Sequence, residues 1–355
     1  MQALWRRLWR RYFSDEQAVI LLLLSSAFIM LLWFFGALLI PLLAAMVLAF
    51  LLEGGIEALM RMGLQRSWSM PLVYTLFLGA LLTLLVLVLP LLWNQAVALT
   101  SALPLMLLHS QQTLYRLPHI YPHLVSNHDI SIWLAALQGQ MGSLGQRLIA
   151  LSPYLLGHVI TFSIYLVMIP TLVFFLLKDR QRIHLWVASR LPQHHPALSR
   201  IAQEINHQLY RYIRGKLLEV VLVTVLTYAA FAWTGLSYAF LLAIAVGLSV
   251  IMPYIGAVVV TVPVVLVAFF EWGGLGPEFW RVMLAHTLIQ VVDGNLLVPL
   301  LFAEAVDLHP LVIIVAITFF GGWWGLWGVF FAIPLAVVLR VLAQHWPVQS
   351  GSDLL

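Results

Sequence analysis

The sequence predicts an all-α, polytopic integral membrane protein with about eight to ten membrane segments, some of them re-entrant or broken. Three observations carry that expectation. Of 355 residues, 63% are hydrophobic and 9% charged, against roughly 25% charged in soluble domains. The apolar runs 17–52, 70–93, 152–177, 217–272 and 282–342 are too long for soluble core helices, because about 20 apolar residues already cross a bilayer, so several must fold back. The basic residues, finally, gather between these runs rather than within them.

Residues 1–98 read as N-terminal membrane helices. Arg6, Arg7, Arg10 and Arg11 precede an apolar run of 36 residues, 17–52. A cleaved signal peptide has a hydrophobic stretch of only about 7–15 residues. The run therefore predicts two permanent spans turning near Gly36 and Pro41. Lys and Arg are retained on the cytoplasmic side, and fifteen of the eighteen fall on one side of this scheme: those four, Arg61, Arg66, the eight between Lys178 and Lys216, and Arg340. Only Arg116, Arg147 and Arg281 fall on the other. Both termini are expected on the cytoplasmic side.

Residues 99–151 form an external amphipathic segment. Pro104, Pro118 and Pro122 are expected to divide it, while Leu105, Leu108 and Tyr115, then Ile132, Leu134 and Leu137, suggest short helices with an apolar face. His109, His119, His123 and His128 match no zinc spacing. With no cysteine in the chain, thiolate metal sites and disulfides are excluded, and no metal or cofactor is expected. A further membrane helix follows at 152–177.

Residues 178–216 are a cytoplasmic basic segment. From Pro196 onward, Leu198, Ile201, Ile205, Leu209, Tyr212 and Ile213 recur at helical spacing. This predicts an amphipathic helix in the inner headgroup region, contacting membrane lipid and feeding the next span. The basic residues are accounted for by sidedness and anionic lipid, so no nucleic-acid partner is expected.

Residues 217–342 hold C-terminal membrane helices with Gly/Pro breaks, and 343–355 form a cytoplasmic tail. Two pieces are similar: "PYIGAVVVTVPVVLVAF" (253–269) and "GLWGVFFAIPLAVVL" (325–339). Gly/Pro-interrupted apolar segments point to transporter binding sites, which places Pro253, Tyr254 and Gly256 among the candidate pathway residues. One helix over 311–342 would be about 48 Å long, beyond the roughly 30 Å hydrocarbon core. Gly321, Gly322, Gly325 and Gly328, with Trp323, Trp324 and Trp327, mark the expected break; the alternative is a tilted unbroken helix with a small-residue packing face.

The motifs "FFLLKDR" (174–180), "YIRGKLLEVVLV" (212–223), "TGLSYAFLLAIAVGLSVIMPYIGAVV" (234–259), "QVVDGNLLVPLLFAEAVDLHPLVII" (290–314) and "FFGGWWGLWGVFFAIPLAVVLRVL" (319–342) follow one another in order. Together they resemble the successive signatures of the autoinducer-2 exporter (AI-2E) family, in its PerM-like permease branch. The resemblance implies a bacterial inner-membrane transport protein. That family is named for export of a small signalling molecule, and other members are associated with sodium/proton exchange. Ala303-Glu304-Ala305 departs from the Gly-containing basic turn of many relatives.

The membrane carboxylates carry the remaining expectation. Glu53, Glu57 and Arg61 lie four apart in sequence, which predicts a local ion-pair ladder. Glu219 lies three residues after Lys216, at the start of a span, and is a candidate proton-binding residue of the pathway, with a local i, i+3 pair as the structural alternative. Asp293 is far from any sequence-local cation, and a charge near mid-membrane costs about 2.5–3.5 kcal/mol on insertion scales. With Gln290, Asn295 and Pro299 it predicts a kinked segment lining a substrate or ion pathway; a buried helix–helix hydrogen bond is the structural alternative. The chain has no H-E-x-x-H and no G-x-S-x-G, so an enzyme is not expected. Taken with these carboxylates, the resemblance implies outward movement of a small-molecule substrate, coupled to an ion. A cation/proton antiporter, an uncoupled pore and a homo-oligomeric assembly all stay open.

Overall fold

The computed structural model describes residues 16–120, 126, 128, 130–132, 135, 139, 152–190, 196–253, 255–302 and 308–344. Its regular elements are helices, in the order α1 (Glu16–Arg61), α2 (Arg66–Thr83), α3 (Leu89–Ile120), α4 (Ser152–Lys178), α5 (Arg180–Arg190) and α6 (Pro196–Thr234). There follow α7 (Ala239–Ser249), α8 (Ile255–Glu271), α9 (Pro277–Val292), α10 (Val298–Phe302), α11 (Pro310–Trp324) and α12 (Leu326–Gln344). Among the described residues, six stretches are long and apolar enough to cross a membrane: Leu38–Arg61, Arg66–Met106, Thr161–Lys178, Arg200–Thr234, Pro277–Phe302 and Leu326–Gln344. The shorter apolar helices α7, α8 and α11 accompany them. This is the polytopic all-α membrane architecture the composition predicts.

The chain divides into two compact units. The first comprises Met1–Tyr74, Val167–Gly215 and Phe302–Leu355; the second comprises Thr75–Leu166 and Lys216–Leu301. In the first, Ala316, Ile317 and Phe320 of α11 pack against Phe331, Ala332, Leu335 and Ala336 of α12, with Leu39, Leu43 and Val47 of α1 alongside. In the second, Val223 and Phe231 of α6 share a core with Leu242 and Val246 of α7, Val260 and Val264 of α8, and Val282 and Ile289 of α9.

Each unit contains a helical hairpin whose first arm is a short apolar helix. α7 has 11 residues and α11 has 15, or about 16 and 22 Å at the helical rise, so neither can cross a 30 Å core alone. The expected break in 311–342 falls at Gly325, whose φ of 60° ends α11. The two similar sequence pieces open the second arm of each hairpin. A Cβ on Gly256 would strike the carbonyl oxygen of Ser249, and one on Gly328 that of Phe320. The missing side chain lets the returning helix lie against the last turn of the outgoing one. Pro263 and Pro334, in contrast, sit inside unbroken helices. We expect Gly256→Val and Gly328→Val to abolish recovery of monodisperse protein in size-exclusion chromatography, whereas Gly322→Ala, which meets no atom within 4 Å, elutes as wild type. A wild-type profile for Gly328→Val would mean that the arms are not this close.

Three sequence expectations are corrected. α1 runs without a turn through Gly36 and Pro41 for 46 residues, about 69 Å. Gly36 is a packing notch instead, since a Cβ there would overlap the Trp324 indole. α3 likewise continues through Pro104 and Pro118; Pro122, with most of the second external helix, lies outside the described residues. The apolar face of the cytoplasmic segment is not left to lipid. Ile201 and Tyr212 are buried against Ile333, Val337 and Val341 of α12, with Ile205, Leu209 and Ile213 packed around them.

Two five-residue π turns lie in the second unit, Leu84–Val88 and Asp293–Leu297. In each the next N–H bonds five residues back, Leu89 to Leu84 and Val298 to Asp293. Each is followed, one residue later, by a proline, Pro90 or Pro299. Proline has no N–H, and its ring crowds the carbonyl four residues earlier. A wider turn accommodates that ring without ending the helix.

Candidate functional site

The second unit brings buried polar groups together along α6, α8 and α9. On α6, Lys216 Nζ donates to Glu219 Oε2 at 2.6 Å and to the carbonyl of Val250 at 2.7 Å. Val250 is the residue that ends α7, so the lysine ties the hairpin tip to α6. The Glu219 side chain is 2% exposed. Asp293, which opens the π turn after α9, is also buried, and its charge interacts with those of both Lys216 and Glu219. Asp293 Oδ1 has no hydrogen-bond partner. One cation thus faces two buried carboxylates, an arrangement able to take up one further positive charge, as a proton or a monovalent cation.

The row continues along α9. His286, Gln290 and Asp293 are four and three residues apart, which places them on one helix face. Thr261 Oγ1 donates to the Ala257 carbonyl at 2.7 Å and lies 2.9 Å from His286 Nε2. With its proton committed to Ala257, the hydroxyl accepts from Nε2–H, leaving Nδ1 of the neutral ring as an acceptor. That Nδ1, Gln290 Nε2 and Thr227 Oγ1 are all buried without a partner. The Phe231 ring lies 6.2 Å from the His286 ring, so α6 and α9 face each other along the row. Buried polar atoms are nearly always bonded, and four unpartnered ones on two facing helices are concentrated beyond what packing requires.

Of the residues singled out from the sequence, Glu219 and Asp293 are both within electrostatic reach of Lys216 and of each other. Gln290 is on the same face of α9, and Gly256 opens the hairpin whose tip Lys216 holds. Pro253 lies in the turn of that hairpin, and Tyr254 lies outside the described residues. Asn295 and Pro299 are exposed, and the Asn295 amide donates back to the Val291 carbonyl at 2.9 Å. The π turn swings them away from the face that carries Asp293. His286, Thr261 and Thr227 were not anticipated; the 286/290/293 spacing was the available signal for the first. Among the described residues, no group of three or more His, Asp or Glu side chains could hold a metal ion.

The Glu53, Glu57, Arg61 ladder does not form. In the first unit Glu53 receives Arg66 through two bonds, of 2.5 and 3.1 Å, and also receives Arg180. Arg66 donates in addition to the Leu177 carbonyl at 3.2 Å, and Glu57 lies 3.8 Å from Arg180. Arg66 of α2 and Arg180 of α5 take the place expected for Arg61, Arg66 through both guanidinium nitrogens as a bidentate pair.

Ionisable side chains buried within apolar spans, held beside a short helical hairpin, define a polytopic helical membrane protein built around an internal charged site. The chain belongs to the AI-2E transporter family, whose model matches residues 22–348. It is 43% identical over 339 residues to PerM of Escherichia coli (strain K12), an inferred permease, covering 96% of each chain. It is also 26% identical over 308 residues to YueF of Bacillus subtilis (strain 168), covering 85% of this chain and 82% of that one, and 25% identical over 318 residues to YrrI of the same strain, covering 86% of each. Both of the latter are named as inferred transport proteins. Family and names point to transport rather than to catalysis.

Proposed function

We propose that the protein moves a small solute out of the cell across the bacterial inner membrane, coupled to an ion that binds at Lys216, Glu219 and Asp293. The single observation that supports this reading is the bare Asp293 Oδ1 beside a buried ion pair, inside helices of membrane-spanning length. A carboxylate in that setting normally faces a partner, a cavity or water, and carboxylates of this kind couple transport. Inside-out vesicles with imposed proton or sodium gradients, loaded against a panel of small polar solutes, test it. Uptake that follows one gradient supports coupling; ion exchange with no solute would favour the antiporter, and gradient-independent flux a pore.

The arginine distribution supports a cytoplasmic position for the turn between α1 and α2, for α5 and for the carboxy terminus, with 99–151 outside. Single cysteines at Ser126 and Ser189 are expected to label from opposite faces of intact cells; labelling of both from outside rejects the scheme. The arginines also place the amino terminus inside, whereas an unbroken α1 crossing once places it outside. A cysteine at Ser14 decides between them.

A further inference from the structure

Arg61, which the ion pairs of Glu53 and Glu57 leave out, lines a cavity of about 340 Å³ between α1 and α6 in the first unit. Its other polar lining groups are Arg214 and Tyr210, and its apolar wall includes Phe50, Leu51 and Ile213. Among the described residues, neither Arg61 nor Arg214 forms an ion pair, while the carboxylates at this end of α1 engage Arg66 and Arg180. Two guanidinium groups thus lie on one cavity that no carboxylate of the described residues lines.

The floor of the cavity is built for close approach. Gly54 and Gly55 line it, and a Cβ at Gly54 would come within 2.5 Å of the Tyr210 hydroxyl oxygen. The Tyr210 ring is fixed against Phe50, at 5.7 Å between centroids. The phenol therefore joins the two guanidiniums as a third donor. Arg61 is the last residue of the apolar stretch Leu38–Arg61, which puts the arginines at the edge of a span and the apolar wall toward its interior.

We propose that this cavity binds the phosphate of an acidic membrane lipid, with Arg61, Arg214 and Tyr210 on the phosphate oxygens and the acyl chain along Phe50, Leu51 and Ile213. Arginine suits phosphate because its planar fork donates in parallel. A free phosphate would use the same three donors but not the apolar wall. That wall is the reason to assign a lipid.

The test is thermal unfolding of the full chain in neutral detergent with added dioleoyl-phosphatidylglycerol, dioleoyl-phosphatidylcholine or inorganic phosphate. Phosphatidylglycerol near 100-fold above its dissociation constant is expected to raise the midpoint by about 5 °C, with phosphatidylcholine and inorganic phosphate well below it. The exposed pair Arg61→Gln/Arg214→Gln is expected to fold and to lose most of the shift, while Arg200→Gln, an exposed charge on the same helix α6, keeps it. Native mass spectra should show the double variant retaining fewer phosphatidylglycerol molecules than wild type. An undiminished shift in the double variant, or equal loss in Arg200→Gln, overturns the site. A full shift from inorganic phosphate alone overturns the lipid.

Discussion

Asp293→Asn is expected to insert and fold as wild type while losing at least about tenfold of its gradient-driven flux. The substitution keeps the shape of the side chain at the start of the π turn and removes only its charge. Folding survives because Oδ1 has no hydrogen-bond partner to lose. The ion pair between Lys216 and Glu219, 2.6 Å long, is made without the aspartate. What disappears is the second carboxylate, and with it the capacity of the cluster to take up a further proton or cation. A tenfold loss corresponds to about 1.4 kcal/mol, less than the 2.5–3.5 kcal/mol that burying the charge costs on insertion scales, so a larger loss is readily accommodated. Glu57→Gln serves as the comparison. It removes a half-buried carboxylate 3.8 Å from Arg180 and should leave flux near wild type. Wild-type flux for Asp293→Asn in proteoliposomes, over a pH series, would reduce the carboxylate to packing.

The hydrophobic runs, the loop charges and the Gly/Pro pieces made the architecture legible, because each reports a local constraint. A 32-residue apolar stretch is too long for one crossing, and Gly325 combines φ 60° with ψ −137°, a backbone conformation that suits glycine. What the sequence misrepresented were residues whose role depends on a neighbour. Gly36 reads as a turn until Trp324 is seen against it, and Pro41, Pro104 and Pro118 read as breaks although helices continue through them. Neighbouring helices in membranes can satisfy or shield what a proline disrupts. The apolar face of 196–213 looked lipid-facing because nothing in its own sequence announces α12.

The charged site was half legible. Lys216 and Glu219 stand three apart on one helix, so their pairing needs no tertiary knowledge, and Asp293 drew notice as a charge with no sequence-local partner. Asn295 was grouped with it by proximity in sequence. The five-residue π turn separates them onto different faces, and nothing short of the helix geometry shows it. Thr227 and Thr261 are ordinary hydroxyls in apolar helices, where bonding to a carbonyl one turn back is the default. Only burial and the absence of a partner distinguish Thr227. Glu53 shows the same limit from the other direction: its sequence neighbours predicted Arg61, and it holds Arg66 and Arg180.

Lys216→Met is expected to cause the largest loss of stability of any single change in the cluster. Glu219 is 2% exposed and receives Lys216 Nζ, and the same ammonium group holds the Val250 carbonyl at the hairpin tip. Removing the cation leaves a buried carboxylate unpaired beside Asp293, with two like charges and no compensation. Removal of one partner of a buried pair costs about 3–5 kcal/mol; membrane hydrogen bonds are weaker than that range suggests, so about 3 kcal/mol is expected here. Replacing both partners with apolar groups is often neutral or stabilising. Lys216→Met/Glu219→Leu should therefore recover most of the thermal midpoint in detergent that the single variant loses. It should not recover flux, because the cluster then keeps one carboxylate and no cation. This pair of measurements separates the two roles of Lys216. If the double variant stays as unstable as Lys216→Met, the lysine acts chiefly through Val250 and the hairpin; if it transports as wild type, the ion site is not at Lys216 and Glu219.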